Sequence, residues 1–159
     1  MSRHAPPRRQ SRRAALQVLY AADLTEKSRT DETLRVLDVF ERVAENFDLH
    51  EGARAFADEL VRGVDRCRAE LDARIAQHAR NWRMERMAAV DRNVLRIATF
   101  ELAHTETPDQ VVIDEAIELA RDFGSDRSPA FVNGVLDAIA RDLRSERAAP
   151  TGVAAETEP

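Results

Sequence analysis

The sequence predicts an all-α fold of about seven helices packed as two helical subdomains, and three observations support it. Apolar residues recur at steps of three and four along most of the chain. No stretch alternates apolar and polar residues as a half-buried strand does, and the only β-branched run, residues 111–113, opens a helical pattern. Short connections separate the periodic segments, with Pro108 and Gly124 at positions where helices end.

Four periodic segments precede a break at Asn81-Trp82. Each carries an apolar stripe at helical spacing, and the second starts beside Thr30 or Asp31, residue types that cap helix N-termini. The segments cover about 8–25, 31–46, 51–67 and 68–79. Their apolar residues are, in order, Leu16, Leu19, Tyr20 and Leu24; Leu34, Leu37, Val39, Phe40 and Val43; Phe56, Leu60, Val64 and Cys67; and Leu71 and Ile75. We expect one domain over residues 8–147, divided by the break into subdomains of about 8–80 and 81–147.

Three further segments follow the break. They cover about 86–105, 110–123 and 128–147. The first of them has the broadest apolar face in the chain, which is typical of a central helix. The third is predicted to begin with Ser128 as its N-cap and Pro129 at the first helical position.

Asn133-Gly134, inside the last segment, is a strong turn signal in isolation because both residues tolerate positive φ. Here the surrounding apolar residues keep helical spacing as far as Leu143, so we expect both residues to lie within a helix. A helical glycine costs about 1 kcal/mol relative to alanine. The sequence therefore predicts that Gly134 permits close approach of a second helix, and that Gly134→Leu would destabilise the fold.

Charge is unevenly distributed along the chain. The net charge is −5, yet residues 1–13 hold five arginines and no acidic residue, so the rest of the chain carries −10. Arg9, Arg12 and Arg13 lie three and four positions apart and therefore share one face of a helix. A basic arm on an acidic body is typical of a nucleic-acid-binding protein, and a solvated arginine-rich start is the alternative.

Composition narrows the class of protein further. A chain of 159 residues buries enough surface to fold without a metal or a disulfide, and a single cysteine, Cys67, fits a reducing cytoplasm. No apolar run approaches the roughly 18 residues of a membrane span. Residues 1–7 and 148–159 have the composition of a basic disordered arm and a disordered tail. We expect a cytoplasmic protein that uses no cofactor and contacts no membrane.

Motifs for catalysis are missing. The five glycines form neither a phosphate loop nor a dinucleotide fingerprint. The four histidines are far apart and show no ligand spacing with Cys67, so no metal site is predicted. Cys67 itself lies on an apolar stripe, where a buried thiol is expected rather than a nucleophile. The sequence therefore favours a binding protein over an enzyme.

Three motifs, in the correct order, resemble those of the NusB family of bacterial transcription antitermination factors. The family's arginine-rich first helix is similar to RRQSRRAALQVLYAADL at 8–24. Its tryptophan-containing linker and fifth helix are similar to NWRMERMAAVDRNVLRIATFEL at 81–102, and its most distinctive stretch to VVIDEAIELARDFGSDRSPAFVNGVL at 111–136. The resemblance covers about 8–145, nearly the whole predicted domain.

This resemblance implies an all-helical fold of two small subdomains and a function without catalysis. It implies binding of boxA RNA in ribosomal RNA operon leaders, jointly with NusE, a small-subunit ribosomal protein. The complex would join NusA and NusG on RNA polymerase and suppress premature termination. A homodimer stays open, since the family includes monomers and dimers. The alternative is a free-standing RNA-binding accessory domain related to the N-terminal module of ribosomal RNA cytosine methyltransferases.

Four arginines are the predicted phosphate contacts. Arg8, Arg9 and Arg12 match the family's basic arm, and Arg13 joins them by its spacing. The planar guanidinium fork pairs with phosphate and stacks on bases, which suits this role. Gln10 departs from the family pattern, because it interrupts the run of arginines.

Further site residues come from the other two motifs. Phe131 and Asn133 match the FVNG motif near the family's RNA-facing side, where Phe131 is expected either to stack on a base or to lie in the core. Tyr20 and Asp91 match positions that face NusE; the alternatives are the apolar face of the first helix for Tyr20 and a favourable place at a helix N-terminus for Asp91. Arg127 stands where acidic residues are common, which adds positive charge beside the motif.

Overall fold

Five α-helices and one short 3-10 helix make up the part of the chain that the computed structural model describes, residues 7–25, 49 and 51–149. In chain order they are α1 (Pro7–Thr25), α2 (Glu51–His78), the 3-10 helix (Met84–Arg86), α3 (Ala89–His104), α4 (Asp109–Phe123) and α5 (Ser128–Ala148). These residues include no strand, so the all-α prediction is confirmed. None of the five helices is long and apolar enough to cross a membrane.

The prediction of about seven helices is wrong where it divides residues 51–79, because α2 is one continuous helix. The predicted boundary at residues 67 and 68 contains neither glycine nor proline. Leu71 and Ile75 are fully buried and continue the stripe of Leu60 and Val64. A single unbroken helix buries that stripe without exposing backbone groups in the middle.

Parts of the sequence prediction lie outside the described residues. These are the predicted helix at 31–46, residues 1–6 of the predicted arm and the predicted tail from residue 150 onward. α1 begins at Pro7, the last residue of that arm, and the fixed φ of proline suits the first position of a helix. The division into subdomains at residue 80 stays a prediction.

α3 is the central helix and packs against each of the other four. Ten consecutive residues of it, 93–102, are buried, so the helix is covered on every side. A helix in that position must be apolar on most of its surface. The broad apolar face in the sequence therefore predicted the position of α3 correctly.

Gly63 of α2 makes close contact with the ring of Phe100 of α3. A Cβ atom at position 63 would lie 2.2 Å from Phe100 Cζ, far inside van der Waals contact. Phe100 is itself buried, with 3% of its surface exposed, so the ring has little room to withdraw. Glycine at this position sets the spacing of α2 and α3.

Asn133 and Gly134 lie inside α5, as the sequence predicts, but the role predicted for Gly134 is wrong. Both residues are exposed, and no atom lies within 4 Å of a Cβ built on Gly134. Val132, Val135 and Leu136 occupy the buried positions of this turn, so residue 134 faces away from the core. Close helix approach requires glycine at position 63, which the spacing of apolar residues did not indicate.

The loop between α4 and α5 depends on a contact between Gly124 and Ser128. Gly124 has φ −95°, a backbone conformation that any residue can adopt. A Cβ at this position, however, would lie 2.5 Å from Ser128 Oγ. Ser128 is the first residue of α5 rather than its N-cap, which is Arg127. The Ser128 hydroxyl instead accepts a hydrogen bond from the Ser125 backbone N–H at 2.9 Å and closes the loop.

Gly63→Ala and Gly134→Ala test these assignments, since each position lies inside a helix and gains about 0.5–1 kcal/mol of helix propensity. We expect Gly134→Ala to raise the free energy of unfolding by that amount. Gly63→Ala should lower it by roughly 1–3 kcal/mol, because Phe100 must move. Urea unfolding followed by circular dichroism measures both changes. Effects of the same sign and size would contradict the packing of Gly63 on Phe100.

Candidate nucleic-acid interface

Arg12 is buried in the core, where it forms an ion pair with Glu101 of α3. Arg12 Nε donates to Glu101 Oε2 at 2.8 Å and Nη2 donates to Oε1 at 2.7 Å. The two side chains are 5% and 1% exposed. This two-bonded pairing holds α1 in one rotational position on α3. The phosphate contact proposed for Arg12 stays a prediction, and its guanidinium is committed to Glu101 in this structure.

Arg8 lies on the surface at the N-terminal end of α1. Its guanidinium carbon is 4.4 Å from the centre of the Phe56 ring, and Nη1 donates to Thr107 Oγ1 at 3.4 Å. The cation–π contact orients the side chain. Within the described ranges Arg8 has no carboxylate partner, so its charge is available to an anion.

Arg9 and Arg13 pair with carboxylates of α4. Arg9 donates to both oxygens of Glu115, at 3.0 and 2.9 Å, and Arg13 donates to Asp122 at 2.9 Å. The hydrogen bond from Arg9 lowers the pKa of Glu115 despite its partial burial, and the same bond raises the pKa of Arg9. The arginine side chains remain 40% and 38% exposed. We call Arg8, Arg9 and Arg13 the α1 arginine face.

A second surface is a groove of about 560 Å³ between the α2–α3 connection and the start of α5. It is lined by Trp82, Arg86, Met87, Ala88, Asp91, Ser125, Arg127 and Phe131. Trp82 is 56% exposed and meets Phe131 edge-on, with ring centres 6.2 Å apart and planes at 66°. Phe131 is half-buried and packs against the core, so it supports the exposed indole. We call this the aromatic groove.

The aromatic groove brings Phe131 and Asp91 together, although the resemblance assigned one to RNA and the other to NusE. Asp91 Oδ1 is inaccessible to solvent and has no hydrogen-bond partner within the described part of the chain. Asn133 does not line the groove. Two residues along a helix correspond to about 200° of rotation, so Asn133 lies on the opposite side of α5 from Phe131.

Arg92 of α3 holds together the segments that lie beside the aromatic groove. Its Nε donates to Asp23 Oδ2 at 2.9 Å, and its Nη1 donates to the backbone carbonyls of Met84 and Met87 at 2.8 and 3.2 Å. Arg92 Nη2 also donates to Asp23 Oδ2, and Asn93 Nδ2 adds a third hydrogen bond to the same oxygen, at 3.1 Å. One side chain thus ties the end of α1, the 3-10 helix and the start of α3 together beside the aromatic groove.

Tyr20 lies on the surface rather than in the core. Its side chain is 38% exposed, and Leu24, one turn further along α1, is 58% exposed. Tyr20 lines a groove of about 500 Å³ together with Leu16, Gln17, Ala21, Val90 and Phe123, which we call the Tyr20 groove. Exposed apolar residues of this size at one place are typical of a protein-binding surface.

The C-terminal end of α4 connects the three surfaces. Arg13 pairs with Asp122 and lies 5.0 Å from the ring centre of Phe123, which also lines the Tyr20 groove. Ser125 and Arg127 follow directly and line the aromatic groove. The α1 arginine face, the Tyr20 groove and the aromatic groove therefore meet along residues 122–127.

Trp82 and Arg86 of the aromatic groove are not among the candidates that the sequence predicted. Trp82 is the only tryptophan, and it lies in a polar break between helices, where a large aromatic side chain has few apolar neighbours to bury it. A single tryptophan in a polar break is therefore the sequence feature that indicates Trp82 as an exposed candidate. The position of Arg86 in the same groove depends on the 3-10 turn, which the sequence did not predict.

Comparison with known proteins identifies the family. Residues 9–141 match the sequence model of the NusB family. The chain belongs to the NusB family. The transcription antitermination protein NusB of Geotalea uraniireducens (strain Rf4) is 45% identical over 142 residues, which cover 84% of this chain and 93% of that protein. The family that the three motifs predicted is thereby confirmed.

Solved NusB structures share the fold. T. maritima NusB aligns with a TM-score of 0.77 at 32% identity, over 87% of this chain and 94% of that one. A NusB in a complex of antitermination factors NusB and NusE with double-stranded RNA aligns with a TM-score of 0.74 at 28% identity, over 89% of this chain and 99% of that one. The individual RNA- and NusE-contacting residues of this NusB-family chain stay predictions.

Removing one partner of the buried Arg12–Glu101 ion pair should reduce the stability of the fold far more than removing one partner of the surface pair between Arg9 and Glu115. We expect Arg12→Ala to lower the free energy of unfolding by about 3–5 kcal/mol, because it leaves Glu101 unpaired in the core. Arg9→Ala, the matched control on the same helix, should lower it by less than about 1 kcal/mol. Urea unfolding at neutral pH measures both.

The double variant Arg12→Met with Glu101→Leu should recover much of the stability lost in Arg12→Ala, since it leaves no buried charge. Equal losses of unfolding free energy in Arg12→Ala and Arg9→Ala would show that Arg12 does not form the buried pair with Glu101 in solution.

Proposed function

We propose that this protein is a non-catalytic transcription antitermination factor that binds boxA RNA of ribosomal RNA operon leaders together with NusE. The complex joins NusA and NusG on RNA polymerase and suppresses premature termination. The observation that carries the proposal is the aromatic groove, where Trp82 and Phe131 lie beside Arg86 and Arg127. The likeness to a NusB in a NusB–NusE complex with RNA supports both partners.

The aromatic groove suits unstacked RNA bases. Single-stranded RNA is recognised by stacking bases on aromatic rings and on guanidinium planes, and the groove offers both. An indole that is 56% exposed forgoes much of the stabilisation that burial would give it. A stacked base would cover that surface, and Arg86 and Arg127 would neutralise the adjoining phosphates.

The α1 arginine face supplies the remaining phosphate contacts. Arg8 has no carboxylate partner among the described residues, so binding a phosphate does not require it to give up an ion pair there. Arg9 and Arg13 must exchange Glu115 and Asp122 for phosphate, which reduces their net gain. Arg12 contributes indirectly, because its bond to Glu101 keeps the other three arginines on the outer side of α1.

NusE binds at the Tyr20 groove in this proposal. Tyrosine is enriched at the centres of protein interfaces, where its ring packs and its hydroxyl finds a polar partner. Residues 122–127 join this groove to the aromatic groove, so a protein bound there lies beside the RNA. It can then add RNA-binding surface of its own, which explains why the two factors would bind boxA jointly.

A titration of boxA RNA at several salt concentrations separates phosphate contacts from stacking. Each phosphate contact with single-stranded RNA contributes about −0.7 to the slope of log K against log salt. Replacing Arg8, Arg9 and Arg13 together with alanine should therefore make the slope shallower by about 2. Trp82→Ala should weaken binding by roughly 5- to 150-fold, as expected for loss of one stacked base, and should leave the slope unchanged.

Arg62→Ala combined with Arg141→Ala is the matched control. Both are exposed arginines paired with a carboxylate four residues away on their own helices, and neither lines a groove described above. The control should bind boxA with wild-type affinity and slope. A wild-type slope near zero, or equal losses in the control, would refute phosphate binding by the α1 arginine face.

Tyr20→Ala should abolish the gain in boxA affinity that NusE provides, without changing the affinity for RNA alone. The Tyr20 groove and the aromatic groove share no lining residue, so the loss of Tyr20 should not disturb RNA bound in the aromatic groove. Titrations with and without NusE measure it, and Val111→Ala, another exposed apolar residue, is the control. If NusE adds no affinity to the wild type, the antitermination proposal fails. If Tyr20→Ala retains the gain, NusE binds elsewhere.

A further inference from the structure

Cys67, Glu70 and His104 bring three different metal-ligating groups together between α2 and α3. One ligand atom of each lies within 4.8 Å of the other two. His104 Nε2 is 3.1 and 3.2 Å from the two carboxylate oxygens of Glu70. Cys67 and Glu70 are three residues apart and so share one face of α2, while His104 comes from the last turn of α3.

We propose that these three residues form a Zn²⁺-binding site that links α2 to α3. A thiolate, an imidazole and a carboxylate are all established zinc ligands, whereas magnesium and calcium bind through oxygen atoms alone. Zinc–ligand bonds of about 2.0–2.3 Å in tetrahedral geometry place ligand atoms roughly 3.5 Å apart. His104 and Glu70 already lie near that spacing, so only Cys67 Sγ has to approach them, by at most roughly 1.3 Å, within reach of side-chain rotation.

The surroundings suit a divalent cation. The thiolate and the carboxylate together balance the charge of Zn²⁺. Glu70 and His104 side chains are 42% and 38% exposed, so an ion can enter from solvent and keep a fourth position for water. The His104 ring lies against Phe100, with ring centres 5.5 Å apart, and this contact limits its rotation.

Arg74 is a cation close to the proposed site. Its Nε lies 3.8 Å from Glu70, and its two terminal nitrogens donate to the carboxylate of Glu146 at 3.0 Å each. The bond from Arg74 lowers the pKa of Glu146. Because Arg74 is already paired with Glu146, Glu70 can bind zinc and the Arg74 guanidinium keeps an ion-pair partner.

Cobalt provides a test that depends on the thiolate. We expect the reduced, metal-free protein to bind one Co²⁺ per chain with a thiolate-to-cobalt charge-transfer band in the near ultraviolet, and Zn²⁺ to displace it. Cys67→Ser should remove the band. His104→Asn should weaken zinc binding by at least about 100-fold, the upper end of the effect of losing an outer-shell partner. Zinc at 100 times Kd should raise Tm by roughly 5–10 °C.

His78→Asn is the matched control, since His78 also belongs to α2 but pairs with Asp142 on α5. It should bind Co²⁺ with the wild-type band and zinc with the wild-type affinity. Circular dichroism without metal establishes that each variant is folded. Cobalt binding without a charge-transfer band, or wild-type zinc affinity in both Cys67→Ser and His104→Asn, would overturn the site.

Discussion

The ion pair between Arg12 and Glu101 determines how α1 lies on α3, and the surfaces of the molecule depend on that placement. Removing two charges from water is unfavourable unless each finds a close, well-oriented partner, so the pair tolerates little rotation of α1. The buried Ser11 hydroxyl, which donates to the carbonyl of Ala53 at 2.7 Å, fixes the same turn of α1 to α2. With these contacts made, Arg9 and Arg13 can only lie toward α4 and solvent.

A similar contact fixes the other end of α1. Asp23 accepts hydrogen bonds from Arg92 and Asn93, and Arg92 also binds the carbonyl of Met84 in the 3-10 helix. Because α1 is held at both ends by buried or half-buried polar contacts, Tyr20 between them is presented on a rigid helix. A rigid surface loses little conformational entropy when a partner binds, which favours affinity. The fold thus prepares the Tyr20 groove and the aromatic groove together.

Local spacing predicted the helices and most of the core, but it could not predict pairings between distant residues. Arg9 and Arg12 look equivalent in the sequence, since both are arginines on one face of one helix. Their environments differ because Arg12 meets Glu101, 89 residues away, whereas Arg9 meets Glu115, 106 residues away. Gly63 likewise reads as any helical glycine until the position of Phe100 is known. Long-range packing, which only the folded chain defines, decides each of these roles.

The carboxylates beside the arginines bear on how an acidic protein would discriminate among RNAs. At physiological salt, charges interact over only about 8 Å, so Glu115 and Asp122 matter locally and the net charge of −5 matters little. In the proposed complex these carboxylates would weaken phosphate binding equally for every RNA sequence, because all sequences share the same backbone. Stacking on Trp82 would not involve them. They would therefore lower the non-specific part of the binding free energy and leave the base-dependent part intact, which would raise the share of affinity that depends on sequence.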